Sequence, residues 1–196
     1  MFNDTIINGN VSGGGITFDG LDVALAGSDT EYNVADEMDL STSDDVTENY
    51  VEFLDKLDEF ILGLDGRPTA LLGNTKVISK IRACARRTGS ITEAVDDFGR
   101  QIITYDGIAL IDLGDKPGTT DPVISVGSGG LTSLYAVRLG LDAFHGICMK
   151  DSSPIRVWLP DFDTAGAVKQ GEVEMVAAVA LKKQTSAGVF RNIKVQ

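Results

Sequence analysis

Residues 101–112 read QIITYDGIALID, two short apolar runs separated by the dipeptide Asp106-Gly107. Asp-Gly is typical of a two-residue hairpin turn, because both central positions require a positive φ that Asp and Gly tolerate. The stretch therefore predicts two antiparallel strands, 101–105 and 108–112. Apolar, β-branched runs predict further strands at about residues 131–139, 143–149, 155–159, 173–181 and 189–195.

Two amphipathic helices are predicted before the hairpin. The first begins at Thr42 or Ser43 and ends at Gly63, with apolar residues at helical spacing and Asp or Glu opposite. The second follows Asn74, a good N-cap residue, and carries arginines in its last turn. The apolar run 69–72 between them predicts a buried strand.

The first 45 residues show no long apolar periodicity. Residues 3–45 are rich in Gly, Asp, Ser, Thr and Asn, and we expect mostly loop there. The apolar patch 18–25 predicts a turn or two of helix. Helices early in the chain followed by antiparallel strands predict an α+β fold.

The net charge of −12 is unevenly distributed. Residues 1–65 carry 16 acids and one base, Lys56, and residues 66–196 carry 13 acids and 16 bases, so −15 and +3 sum to −12. The acidic part argues against binding a phosphate backbone there. The second helix bears a basic cluster, for which a solvated face and a partner contact are both open: Lys76, Lys80, Arg82, Arg86 and Arg87.

The sequence offers little for catalysis. His145 is the only histidine, and Cys148, the nearest nucleophile, lies three residues along the same predicted strand, so the two side chains should point to opposite faces. The stretch 127–130 (GSGG) precedes a predicted strand, whereas a phosphate site needs a helix N-terminus. The acidic segment 29–45 lacks the alternating ligands of a calcium loop. We therefore expect a protein that is not an enzyme and has no cofactor or metal.

The two cysteines and the first residues of the chain indicate in which cellular compartment the protein is made. Cys84 and Cys148 do not form a disulfide framework, and we expect both to be buried thiols of a protein made inside a cell. The first residues lack the features of a signal peptide, and the longest apolar run, 175–181, is too short to span a bilayer. We expect no membrane partner.

Several short motifs occur in a distinctive order along nearly the whole chain. Residues 6–10 and 18–21 read IINGN and FDGL, and residues 71–74 read LLGN. Residues 98–100 read FGR, residues 102–108 read IITYDGI, and residues 132–140 read TSLYAVRLG. In this order they are similar to the "FINGD … FDGL", "FGR … TYNG" and "TSIYAVRFG" stretches of tailed-phage major capsid proteins. The chain thus resembles that family.

The resemblance implies the Hong Kong 97-type capsid fold. An axial domain, a sheet flanked by helices, would occupy residues 20–150, and residues 151–196 would supply strands largely to a peripheral domain. Residues 1–19 would follow the long spine helix of the family. Because family members carry an arm, an extended loop and that helix before the IINGN segment, we expect the chain to be an N-terminally truncated fragment.

The implied function is that of a structural subunit of a phage or prophage head, icosahedral or prolate, which encloses double-stranded DNA without binding it specifically. The subunit would associate with itself in pentamers and hexamers, and with scaffold, portal and decoration proteins. It would reside in the virion, and in the host cytoplasm during assembly. Candidate subunit contacts lie in the loop 113–130: Asp115, Lys116, Gly127, Ser128, Gly129 and Gly130.

Three alternatives remain open. An encapsulin-like nanocompartment subunit would share the fold but enclose protein cargo. A phage tail or head-completion protein would be structural with another domain order. A small hydrolase or a nucleotide-binding enzyme would need a convergent pocket, which the sequence does not display.

Overall fold

The computed structural model describes residues 2–13, 17–89, 91–95, 99, 101–149, 153, 155–160, 163 and 166–196. The helices are α1 (Phe2–Asn8), α2 (Leu21–Leu25), α3 (Ser43–Leu62) and α4 (Thr75–Thr88). The strands are β1 (Glu31–Asp39), β2 (Ala70–Gly73), β3 (Ile91–Val95), β4 (Gln101–Tyr105), β5 (Ile108–Asp112), β6 (Leu131–Val137), β7 (Phe144–Cys148), β8 (Ile155–Trp158), β9 (Glu172–Met175), β10 (Ala177–Leu181) and β11 (Ala187–Lys194).

Seven strands form the main sheet, in the order β1-β11-β6-β2-β5-β4-β3. The β4–β5 hairpin turns at Asp106 and Gly107, whose φ angles of 47° and 72° confirm the predicted turn. Two pairs, β1 with β11 and β2 with β5, are parallel, so the sheet is mixed and the expectation of antiparallel strands is only partly correct. The remaining described strands form two small antiparallel sheets, β7 with β10 and β8 with β9.

The ends of α3 and α4 lie where the sequence predicts them. The Thr42 side chain accepts a hydrogen bond from the Asp45 amide at 3.2 Å, and the Asp45 carboxylate accepts one from the Thr42 amide at 2.9 Å. This reciprocal cap satisfies two amides at the start of α3. The Asn74 side chain caps α4, and Gly89, at φ 74°, ends it in the left-handed conformation that glycine adopts without strain.

The central strands β2, β6 and β11 of the main sheet are covered on both faces, and alternate residues of each strand point to opposite sides. Leu71 packs under α3 and α4, whereas Leu72 packs toward α1 and α2. Phe190 of β11 lies at the centre of the α3–α4 side, 6.1 Å from the Phe53 ring and 5.7 Å from the Phe60 ring. The result is three layers, with the helices α3 and α4 on one face and α1, α2, β7 and β10 on the other.

The expectation that residues 3–45 are mostly loop is wrong, although α2 lies within the predicted helical patch 18–25. Tertiary contacts explain the difference: the side chains of Leu21 and Leu25 are buried against the sheet, and β1 pairs with β11. Polar contacts add to this attachment. Asp22 of α2 accepts hydrogen bonds from the Tyr135 hydroxyl and from Arg191, both at 2.8 Å, and Arg191 also donates to Glu31.

The C-terminal part also departs from expectation. Residues 173–181, predicted as one strand, are two strands, β9 and β10, in different small sheets. The last strand, β11, lies in the main sheet between β1 and β6, while the division into domains at residues 19 and 150 stays a prediction. Of the motif 98–100, only Gly99 belongs to the described residues.

The cysteines differ from each other. Cys84 is buried as predicted, and this burial raises the pKa of its thiol to about 11. Cys148 is exposed on β7, so the prediction of a buried thiol there is wrong. The reason is that only the first residue of β7, Phe144, packs into the core.

Candidate functional site

The loop 113–130 carries the six predicted subunit contacts, and its outer part is a closed lobe. Asp115 pairs with Pro122 in an isolated antiparallel bridge, and the Lys116 amide donates to the Asp121 carbonyl at 2.8 Å. The Lys116 ammonium lies 3.9 Å from the Asp4 carboxylate of α1. Asp115 is exposed and Lys116 is half-buried, so both lie at the surface beside α1.

The base of this loop is fixed to the core through Asn74. The side chains of Val123 and Ile124 are buried. The buried Asn74 amide donates to the Ile124 carbonyl at 3.0 Å and to the Thr132 hydroxyl at 2.7 Å, while its oxygen caps α4. One side chain thus joins the helix start, the loop and β6. The sequence predicted the cap, but nothing local could indicate partners 50 and 58 residues away.

The glycine-rich stretch forms the turn into β6. The Gly127 amide donates to the Leu131 carbonyl at 2.7 Å, and a strand follows, as expected for a stretch that is not a phosphate loop. Gly127, Ser128 and Gly129 are exposed. Gly130 is buried at φ 81°, and a Cβ there would lie 1.9 Å from the Gln196 carbonyl oxygen. Gly130 therefore serves the packing of its own chain, and a contact role for all six residues stays a prediction.

His145 and Cys148 lie at opposite sides of β7, as the odd spacing predicted. His145 is half-buried, and its Nδ1 has no hydrogen-bond partner among the described residues. Cys148 is exposed. The structure does not bring the two side chains together as a catalytic pair.

A concavity of about 540 Å³ lies between the C-terminal end of α3 and the turn of the β4–β5 hairpin. Its two carboxylates already have partners. The Tyr105 hydroxyl donates to Asp58 at 2.8 Å, and Arg67 donates to Asp106 at 2.9 Å. Burial, with the Asp58 carboxylate beside it, raises the pKa of the Tyr105 hydroxyl. These groups hold the end of α3 against the hairpin.

The part of the chain that the structure describes contains no group of three or more His, Cys, Asp or Glu side chains placed to hold a metal ion. None of its helices combines the length and the apolar character needed to cross a bilayer.

The most unusual surface is the two-stranded sheet of β8 and β9, which we call the ribbon. All eight of its residues are exposed, although five of them are large and apolar. The exposed fractions are 57% for Val157 and 72% for Val173. Apolar side chains concentrated on one exposed element mark an interaction surface. The sequence predicted both strands but gave no sign that they pair apart from the main sheet.

The ribbon has two different faces, because directly paired residues share a face and neighbours along a strand alternate. Ile155 pairs with Met175, and Val157 pairs with Val173. We call these four residues the apolar ribbon face. The other face consists of Arg156, Trp158, Glu172 and Glu174, and we call it the polar ribbon face because three of its four residues are charged.

Comparisons with known proteins identify a fold. No protein-family model matches the sequence, and no curated protein matches it significantly. Among solved structures, the chain is similar to a subunit in the cryo-electron microscopy structure of the holo-SrpI encapsulin complex from Synechococcus elongatus PCC 7942. The TM-score is 0.61 at 18% sequence identity, and the match covers 91% of this chain and 57% of the encapsulin chain.

This likeness concerns the fold alone, since the identity is low. The chain spans little more than half the length of the encapsulin subunit. The chain therefore has a capsid-like shell fold, of the mixed α+β class that the sequence predicted.

Proposed function

We propose that this chain is a structural subunit of a closed protein shell with the Hong Kong 97-type fold, and that it has no catalytic role. The observation that carries the proposal is the similarity to an encapsulin subunit over 91% of the chain. Copies of such a subunit associate with one another through repeated contacts and close into a particle. The main partner is thus the chain itself.

The ribbon supports this proposal physically. An isolated two-stranded hairpin is marginally stable in water, and this one exposes its apolar ribbon face as well. Covering that face with another subunit removes apolar area from water, at about 25 cal/mol for each Å². The apolar ribbon face is therefore suited to contact another subunit in an assembled shell.

Of the two kinds of shell, an encapsulin-like nanocompartment that encloses protein cargo is the first candidate, because the structural neighbour is an encapsulin. A phage or prophage head remains the second candidate, favoured by the order of the motifs at residues 6–10, 102–108 and 132–140. Scaffold, portal and decoration proteins, packaged DNA and a place in the virion belong to the second candidate only.

Purified chain tests the proposal by its mass and by electron microscopy. We expect the mass from light scattering to rise well above one chain with concentration, and micrographs to show rings or closed particles. A chain that stays monomeric at all concentrations would contradict the proposal. Particles isolated from the native source separate the two candidates, because one would hold a defined protein and the other nuclease-protected DNA.

The ribbon provides a matched pair of variants. Val157→Ser with Val173→Ser changes the apolar ribbon face, and Glu172→Ser with Glu174→Ser changes the polar ribbon face of the same strands. Each buried valine contributes about 1.5–3 kcal/mol, so we expect the first pair to weaken association at least about tenfold. The second pair should have a smaller effect. If both pairs weakened association equally, the apolar ribbon face would not be a specific contact between subunits.

A further inference from the structure

The outer surface of α4 carries five cations without a carboxylate partner in the described part of the chain. We call this set the α4 basic face: Lys76, Lys80, Arg82, Arg86 and Arg87. The hydrogen bonds that three of them make go to uncharged groups. Lys76 donates to the Gln196 side chain, Lys80 to the Ser41 carbonyl at 2.6 Å, and Arg87 to the Ala83 carbonyl at 2.9 Å and the Thr47 hydroxyl at 3.2 Å.

The missing carboxylate partners of the α4 basic face are not explained by a shortage of acids, because other cations of the molecule have such partners. Among the residues that the structure describes, at least seven lysines and arginines lie within 4 Å of an Asp or Glu carboxylate, and the full chain has 29 acids and 17 bases. Those seven are Lys56, Arg67, Lys116, Arg138, Lys183, Arg191 and Lys194. The cations of the α4 basic face thus differ from these seven in that they form no ion pair with an Asp or Glu among the described residues.

The neighbouring helix carries the opposite charge. Asp44, Glu48 and Asp55 of α3 are exposed, and none of them lies within 4 Å of a cation among the described residues. Their spacing of four and seven residues places them along one side of the helix. We call these three residues the α3 acidic face.

Helices α3 and α4 pack side by side, yet these charges do not meet within one chain. Where the helices approach, Lys80 and Arg87 contact a carbonyl and a hydroxyl of the α3 region and not a carboxylate. Like charges also follow each other at four-residue spacing on both helices, as with Asp44 and Glu48 or Arg82 and Arg86. Such pairs repel, and a partner of opposite charge relieves the repulsion.

We propose that the α4 basic face of one copy binds the α3 acidic face of a second copy. This inference rests on the proposed function, because it names the surfaces through which shell subunits meet. Every copy carries both faces, so the contact repeats from copy to copy. Complementary charges steer association and fix its register, and exposed charges lose this effect beyond about 10 Å at 0.1 M salt.

Charge reversal in the full chain tests the contact. One variant carries Arg82→Glu and Arg86→Glu, a second carries Glu48→Arg and Asp55→Arg, and a third carries all four substitutions. In 50 mM NaCl, measured by sedimentation equilibrium, we expect the association constant of each two-site variant to fall at least about tenfold, because like charges then face each other. The third variant should recover, since both signs are exchanged.

A mixture provides a second readout that general damage to the fold cannot imitate. In an equal mixture of the two two-site variants, opposite charges are restored at every contact between unlike variants, so we expect association to return on mixing. A control, Lys182→Glu with Lys183→Glu, changes two exposed residues outside both faces and the ribbon and makes the same change in net charge as Arg82→Glu with Arg86→Glu. We expect it to alter the association constant less than about twofold.

The outcomes separate this inference from the proposed function. Wild-type chain that associates, together with reversed variants that associate equally well, would overturn the inference and leave the shell proposal standing. Wild-type chain that is monomeric would overturn both. Loss in each two-site variant, with recovery in the mixture and in the third variant, supports the contact.

Discussion

The main sheet and the ribbon are built from the same kind of sequence and end in opposite environments. Strands β2, β6 and β11 of the main sheet are covered on both faces, whereas every residue of β8 and β9 is exposed. Both regions contain large apolar residues, such as Leu71 and Leu72 in β2 and Val157 and Val173 in the ribbon. The difference is that the chain supplies its own covering layers for the sheet and none, within the described residues, for the ribbon.

The central strands of the main sheet are covered by elements of the same chain, whereas the apolar ribbon face is left uncovered by the described residues. The sheet gains its stability from contacts inside the chain, so it should be sensitive to substitution in a monomer. The ribbon should be insensitive in the monomer and sensitive only in the associated state. Substitutions in the two regions should therefore differ in their effect on the stability of the monomer.

The largest effect is expected at Phe190, which is 0% exposed between α3 and the sheet. Replacing it in Phe190→Ala leaves a cavity beside Phe53 and Phe60, and we expect the free energy of unfolding to fall by about 3–5 kcal/mol. Val173→Ala on the ribbon should change it by less than about 0.5 kcal/mol. Urea denaturation of dilute protein measures both, and similar losses would contradict the comparison.

A smaller effect is expected at the turn into β6. In Gly130→Ala, a Cβ meets the Gln196 carbonyl oxygen and the backbone keeps φ near 81°, so we expect a loss of about 2–3 kcal/mol. Gly129 has a similar φ of 86° with no atom within 4 Å of a Cβ, and Gly129→Ala should lose only about 1 kcal/mol. Thermal unfolding of the two variants compares them, and equal losses would show that the contact with Gln196 does not matter.

The smallest effect is a pH dependence at the sheet edge, where β1 pairs with β11. The Lys194 ammonium at 2.8 Å, helped by Ser41, lowers the pKa of Asp39 from 3.8 to about 2. A lowered pKa stabilises the folded chain above the unfolded pKa, and this stabilisation is lost as pH falls through the folded pKa. We expect wild type to exceed Asp39→Asn in stability at pH 5, with the difference shrinking between pH 4 and 2.

Unfolding of both proteins across that pH range provides the measurement. The difference between them isolates Asp39 from the other acids, which titrate in both chains. A difference that grows as pH falls would reverse the sign and contradict the assignment of the Lys194 contact.

Much of the helical layer and the hairpin could be predicted from sequence, because their signals are local. The caps at Thr42 and Asn74, the stop at Gly63 and the turn at Asp106-Gly107 each depend on residues within a few positions. The predicted apolar face of α3 is buried, apart from the half-buried Tyr50.

What the sequence could not provide depends on distant partners. Strand β1 exists because β11, about 150 residues away, pairs with it in parallel, and the composition of residues 3–45 favours loop. The exposure of Cys148 and the isolation of the ribbon depend likewise on which strands pair. The opposite charges of α3 and α4 were visible in the sequence, but only the structure shows that they lack oppositely charged partners among the described residues.

Hydrogen exchange of the ribbon in monomeric and associated protein tests most directly whether the chain completes itself through further copies. Peptides from β8 and β9 are compared with peptides from β6 and β11 in the same samples, whose masses are determined by light scattering. We predict that ribbon amides exchange at least about tenfold more slowly in the associated protein, while the main sheet is equally protected in both. Ribbon amides that exchange equally fast in associated and monomeric protein would contradict the account.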